Sequence, residues 1–160
     1  MVVHWCWFSW VSNWFAMLKS KYFGIDELVS KQVHQKYGDV AWMFFDPRLI
    51  AVIDWMRETI DRPITCNNWK WGGNFQQRGF RANLDQIVRD KTLQGRLYCS
   101  SHNNGQGIDF DVKGMTAEQV RQWLKDNKAD IPFNIRVEDD VSWVHIDVRN
   151  TGQKLYFFKP

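Results

Sequence analysis

Two histidines and one aspartate stand in settings that suit a metal ion. His102 lies in Ser101-His102-Asn103-Asn104-Gly105-Gln106-Gly107-Ile108-Asp109, a polar segment leading into a strand that begins near Gly107. His145 lies in Trp143-Val144-His145-Ile146-Asp147-Val148-Arg149, where alternation sends Val144, Ile146 and Val148 to a buried face and His145, Asp147 and Arg149 to the other. Both imidazoles are then presented outward from a framework. Two neutral imidazoles and a carboxylate form a three-ligand set for zinc with the fourth position open, which is what hydrolysis needs: the ion polarises a carbonyl and lowers the pKa of bound water to about 7. The spacing alone does not separate this reading from a surface histidine and a chance His-x6-Asp pair.

Other side chains carry chemistry with less support. Arg78 and Arg81, in a polar stretch, could each clamp a carboxylate bidentately, although a surface arginine usually does little. Asp111 and Asp147 read as outer-shell or surface acids; Asp147 could orient an imidazole, but it stands about 6.6 Å from His145 along a strand. Trp69 and Trp71 beside Gly72-Gly73 suit either a groove for glycan or peptide or a cap on the core. His4 and His34 have no partners in sequence and read as surface residues.

The elements that must hold these residues follow from periodicity. Leu28, Val29, Val33 and Tyr37 recur at helical spacing over 26–37, and Gly38 is a stop. Asp46-Pro47 is an N-cap followed by proline at the first helical position. Leu49, Ile50, Val52, Ile53, Met56 and Ile60 then form an apolar face that Arg62-Pro63 ends. Thr116 and Gln119 make a capping box, with Met115 and Val120 as its hydrophobic staple, so a third helix runs over about 117–126. Period-two segments predict strands at 64–67, 107–112, 133–138, 143–149 and 155–159, with turns at Asp139-Asp140 and Asn150-Thr151-Gly152. The last three strands read as a β-meander; 68–79 reads as a long loop and 83–90 as the place for a short helix. The expected fold is α+β, with helices on one side of a small, mainly antiparallel sheet.

Composition narrows the classes. A chain of 160 residues with 44% hydrophobic and 24% charged residues suits one domain, not a disordered chain or a multi-span membrane protein. A net charge of +3 with no basic run excludes nucleic acid as the expected partner. Cys6, Cys66 and Cys99 are odd in number and lack CxxC spacing, so no disulfide framework or thiolate zinc site is encoded, and a Cys66–Cys99 bridge is left open. Residues 1–18 form a Trp-rich extension ahead of a 19–160 domain. They have no basic residue before the apolar run and no small-x-small cleavage pattern, so no signal peptide is recognised, and a membrane contact is not favoured. Met17 also reads as a natural start, with the preceding residues an upstream extension.

Ser101-His102-x-x-Gly105-x-Gly107-x-Asp109 followed by Trp143-x-His145-x-Asp147 resembles the two signature blocks of the zinc D-Ala-D-Ala carboxypeptidase superfamily, which includes Hedgehog signalling domains and phage endolysins. Gly107 stands where that pattern has alanine, a small-for-small exchange. The stretch from Asn67-Asn68-Trp69 to Gly79-Phe80-Arg81 is similar to the family's block ending in G-[YF]-R. The resemblance covers roughly residues 49–149 and is nearest to the small phage-associated branch. It implies a Hedgehog/DD-peptidase-like fold, zinc on His102, Asp109 and His145, and an arginine, Arg81, facing the substrate. Many family members carry a glutamate three residues before the last histidine; here that position is Ser142, which cannot take a proton from water at neutral pH. The phage-like branch resembles Arg136-Val137-Glu138 with the glutamate as base, whereas Hedgehog-like spacing falls on Asp139. If Asp139-Asp140 is a two-residue turn, Glu138 shares the face of His145 but pairs with Val141, about 13 Å away along the strand, so a wider loop is required.

By resemblance, the expected activity is hydrolysis of a D-amino-acid-containing or cross-bridge amide in the peptidoglycan stem peptide, in phage or prophage lysis or entry. Synthesis would be in the bacterial host cytoplasm and action at the cell wall. The alternative is a metal-binding cell-wall-binding or structural protein of the same fold without turnover, as the missing glutamate at 142 allows. A membrane-associated module would rest on residues 1–18 alone.

Overall fold

The computed structural model describes residues 19–159; the extension 1–18, with His4 and Cys6, lies outside the described residues. Period-two alternation becomes a two-faced, five-stranded sheet. Its strands are β1 (Ile64–Thr65), β2 (Gly107–Val112), β3 (Ile135–Glu138), β4 (Val144–Asp147) and β5 (Leu155–Phe158), in the order β1-β2-β4-β3-β5. Ile108, Phe110, Val112, Ile135, Val137, Val144, Ile146 and Leu155 lie on one face and join a single apolar cluster. Burying each such side chain contributes about 1.5–3 kcal/mol. The opposite face carries Asp109 and Asp111 of β2, Arg136 and Glu138 of β3, and His145 and Asp147 of β4.

The sheet is mixed, which corrects the expected antiparallel meander. β2–β4 and β3–β4 are antiparallel, but β5 runs parallel to β3, with Ile135 opposite Leu155 and Glu138 opposite Phe158. Both edges of β4 are already taken, by β2 and β3. The turn after β4, with Gly152 at φ 73°, therefore reverses the chain but delivers it beyond β3.

Among the described residues there are five α-helices: α1 (Ile25–Leu28), α2 (Lys31–Tyr37), α3 (Pro47–Ile60), α4 (Gln86–Leu93) and α5 (Ala117–Asp126). The helix expected over 26–37 is broken at Val29-Ser30. Val29 bridges to Phe80, and the Ser30 hydroxyl caps the second helix by accepting from Val33 N. A 3-10 helix, Gly38–Phe44, follows where only a stop was expected. The α3 and α5 boundaries match the sequence signals: the Asp46 carboxylate accepts from Arg48 N, and Thr116 and Gln119 form the reciprocal capping box. Leu49, Ile53 and Met56 of α3 and Val120 and Leu124 of α5 belong to the same apolar cluster as the sheet. Cys66, buried, and Cys99, exposed, are both free thiols. No helix among the described residues is long and apolar enough to cross a membrane.

Candidate metal centre

Strand pairing sets two of the three candidate ligands side by side, because Asp109 of β2 and His145 of β4 are direct partners across the ladder. The third, His102, comes from the loop before β2. That loop is pinned from several sides: Asp46 N donates to Gly105 O at 2.9 Å, Val148 N to Gln106 O at 3.0 Å, and Arg81 N to His102 O at 3.3 Å. Two glycines permit this closeness. Gly105 has φ 64°, and a Cβ there would stand 1.7 Å from Phe44 O; at Gly107 a Cβ would meet Ser101 Oγ at 2.3 Å.

The face that alternation assigned to solvent is in fact roofed by these loops. His102, Asp109, His145 and Asp147 are all buried, with Asp147 fully so. Period two tells which residues share a face, not whether a loop later covers it.

The ligand atoms converge. His145 Nδ1 lies 2.6 Å and His102 Nε2 3.3 Å from Asp109 Oδ1, and the three groups each offer an atom within 4.8 Å of the others. Ligand atoms on a tetrahedral zinc at 2.0–2.1 Å sit about 3.4 Å from one another, so this donor set fits such an ion with shifts of side-chain size. Tautomers suit it too. His102 Nδ1–H donates to Gly79 O at 2.9 Å, leaving Nε2 with its lone pair toward Asp109. His145 Nε2 faces Ser101 Oγ at 3.4 Å and Asp147 Oδ2 at 3.5 Å, outer-shell acceptors that leave Nδ1 for the centre.

Charge is matched around the ligands. Burial pushes the His102 pKa down, and the nearby Arg81 and His145 charges add to this against the pull of Asp109. Burial would also lower His145, but hydrogen bonds to Asp109 and Asp147 outweigh it and raise its pKa to about 9. Asp109 is held well below the usual carboxylate range despite its burial, because both imidazoles bond to it. Asp147 is likewise depressed against the effect of burial, by bonds from His145, Arg136 and Arg149. A pKa raised to about 9 favours the imidazolium form of His145 below that pH, between the Asp109 and Asp147 carboxylates.

The remaining candidates divide clearly. Arg81 lines the same pocket as the triad, together with Ser100, Glu138, Trp143, Arg149 and Phe158. Its guanidinium donates to Gln77 O at 2.6 Å, Tyr98 OH at 2.8 Å and Asp109 Oδ2 at 2.8 Å. Arg81 thus orients a ligand carboxylate, a role its motif did not suggest, and two of its five N–H groups remain for a bound molecule. Glu138 reaches the pocket because the β3–β4 connection is wide: Arg136 pairs with Asp147 and Val137 with Ile146, so one further step sets Glu138 across from His145. Asp139 lies 3.7 Å from Arg121 and Asp140 is paired with Lys159, and neither lines the pocket; Ser142 is exposed.

The Arg78 side chain pairs with Asp111 and stacks on Phe75 and does not line the pocket, while its carbonyl accepts from Asp109 N at 2.7 Å. Trp69 is half-buried, its indole N–H donating to Val29 O at 2.9 Å, while Trp71 is exposed, and neither lines the pocket. His34 is half-buried against the Trp69 ring. Sequence reading missed Tyr98, Arg149 and Arg121. Arg149 left the signal of alternation, which sets it on the face of His145, and Arg121 that of a charge on the inward stripe of α5 with Val120 and Leu124; Tyr98 left none.

No family model, no curated protein and no solved structure matches the chain.

Proposed function

We propose that the chain is a zinc-dependent peptidase of the D-Ala-D-Ala carboxypeptidase and Hedgehog type, from the small phage-associated branch. Its substrate is a D-amino-acid-containing or cross-bridge amide of the peptidoglycan stem peptide. The observation that carries this reading is the convergence of His102 Nε2, Asp109 Oδ1 and His145 Nδ1 beneath a pocket that also holds a carboxylate, Glu138, and a guanidinium, Arg81. The motif blocks around these residues supply the family and the substrate class.

His102, Asp109 and His145 would hold the ion, which when bound supplies Lewis acidity toward water and a scissile carbonyl. Glu138 takes the proton that the attacking water sheds and later delivers it to the leaving amine nitrogen. Arg81 keeps Asp109 turned toward the centre, and its two remaining N–H groups are available to a substrate oxygen. The His102 and His145 rings keep their orientation through Gly79 O, Ser101 and Asp147.

The test is metal analysis of the purified protein followed by incubation with purified wall fragments and synthetic stem peptides, reading released D-Ala or new amino groups. About one zinc per chain is expected, lost in His102→Ala. Turnover should fall by ~10²–10⁴-fold in Glu138→Gln, with zinc retained. Stoichiometric zinc in a variant lacking both histidines sinks the ligand set. Activity that survives in Glu138→Gln but not in Asp139→Asn moves the base by one residue. A zinc-loaded protein that cleaves no wall fragment is instead a binding or structural protein.

A further inference from the structure

On the inward stripe of α5, between Val120 and Leu124, stands a charged residue that no ligand requires. The Arg121 side chain is only 3% exposed, and its carboxylate partners are long and lie toward solvent: Nη1 donates to Glu118 Oε2 at 3.4 Å, but Glu118 is 67% exposed, and Asp139 Oδ1 is 3.7 Å from Nε. Desolvating a guanidinium costs several kcal/mol, and long contacts to exposed carboxylates offset little of it, so an apolar residue would be the more stable choice for a helix packed on a sheet. What Arg121 does have is carbonyls. Nε donates to Glu138 O at 3.0 Å, and Nη2 donates to Val141 O at 2.6 Å and Trp143 O at 3.1 Å.

These acceptors span the β3–β4 connection from end to end. Between β3 and β4 the ladder is assigned only as far as Val137 and Ile146; beyond it Glu138 stays paired with Phe158 of β5, and the connection's carbonyls of Glu138, Val141 and Trp143 take Arg121 as donor. The segment also contains Asp140 at φ 59°, a left-handed conformation that a non-glycine residue adopts at a cost. Of the residues from Glu138 to Trp143, only Glu138 and Trp143 line the pocket over the triad, and the carbonyls of both are held by Arg121. One guanidinium fixes the two walls that this connection contributes. Lysine could not replace it, since a single ammonium on a flexible stem cannot reach three carbonyls in a planar fork.

We propose that Arg121 is the positioning residue that fixes the β3–β4 connection, and with it Glu138, over the metal centre. This rests on the peptidase reading, in which Glu138 is the base. Arg121 touches neither metal nor substrate; it acts through the backbone of Glu138 and Trp143.

The experiment uses the zinc-loaded full chain and compares wild type, Arg121→Met, Glu138→Gln and the double variant. Methionine fills the volume on the α5 stripe without donating. Zinc content should be unchanged in Arg121→Met, because no metal ligand lies in the connection. Amide hydrogen exchange should rise at residues 138–143 while the β2 and β4 ladder stays protected. Turnover should fall at least 10²-fold, the scale of a displaced general base. The double variant should be no slower than Glu138→Gln alone, since both changes remove the same contribution, whereas a merely structural role gives additive losses.

Unchanged exchange at 138–143, or additive losses in the double variant, overturns the proposal. An active wild type whose Arg121→Met variant keeps its turnover overturns it while leaving the peptidase reading intact. A wild type that hydrolyses nothing overturns the peptidase reading, and the catalytic role of Arg121 with it. If Arg121→Met fails to fold, Arg121→Lys carries the same comparison: it keeps the charge and the stem but not the fork, and wild-type turnover there overturns the proposal.

Discussion

Zinc binding should expel about one proton from His145. In the metal-free protein the pKa of this ring is raised to about 9 by Asp109 and Asp147, so at pH 6 it is essentially all imidazolium. An ion taking Nδ1 must displace that proton. Asp109 is already ionised and loses none, and His102, whose pKa is depressed by burial, adds only a minor share. At pH 6 water on zinc, with a pKa of about 7, also contributes little. Calorimetric titration in buffers of different ionisation enthalpy reads the number directly. Apparent affinity should then rise about tenfold per pH unit up to roughly pH 9 and level off. The same ion pair makes a stability statement. A group whose folded pKa lies above its ordinary 6.5 contributes fully below that value and loses its contribution as pH rises through about 9. The metal-free protein should therefore lose about 3 kcal/mol over that window, a figure that already includes the Asp109 half of the pair. The zinc-loaded protein should not show this loss. Release of less than half a proton at pH 6, with metal-free stability flat across the window, would refute the charged His145 between two carboxylates.

Arg81→Ala should weaken zinc binding about 10–100-fold, because Asp109 Oδ2 loses its guanidinium, and Arg81→Lys should restore it only in part. Competition against a chelator measures this, and unchanged affinity would mean that Arg81 serves the substrate alone. Gly107→Ala, which brings the alanine of the resembled motif into this chain, should cost about 1–3 kcal/mol in denaturant unfolding, since its Cβ would stand 2.3 Å from Ser101 Oγ and 3.2 Å from Asp147 Cβ. A neutral or stabilising effect would show that the Ser101 loop yields easily.

How far the sequence reaches can be seen at Glu138. A two-residue turn at Asp139-Asp140 would pair it with Val141, on the correct face but about 13 Å from His145. The true connection is longer: the β3–β4 ladder ends with Val137 opposite Ile146, and one further step of that register sets Glu138 across from His145. The face survives because the register differs by an even number of residues, and parity is all that alternation encodes. The same limit explains the meander. Turn chemistry at Asn150-Thr151-Gly152 correctly marks a reversal, but which strand the chain rejoins depends on β2 filling the far edge of β4, a contact between residues almost forty positions apart. Caps fared better, as Asp46 and Thr116 show, because their partners lie within three residues. The three candidate ligands were legible for a third reason: His, Asp and His are chemically conspicuous wherever the chain brings them together.

The groups that position the ligands are legible only where they violate a local rule. Tyr98, whose hydroxyl accepts from Arg81, violates none, and Gln77 holds Arg81 only through a backbone carbonyl that any residue would supply. Arg121 does violate one. An amphipathic helix whose inward stripe reads Val120, Arg121, Leu124 has spent a buried position on a charge, and with only a long contact to the exposed Glu118 that burial is stable only if neutral acceptors converge on it. The carbonyls of Glu138, Val141 and Trp143 are those acceptors, and they belong to the one connection of the sheet whose shape decides where the proposed base stands. The breach of the helical pattern thus points to the part of the site that the ligand motif leaves undefined.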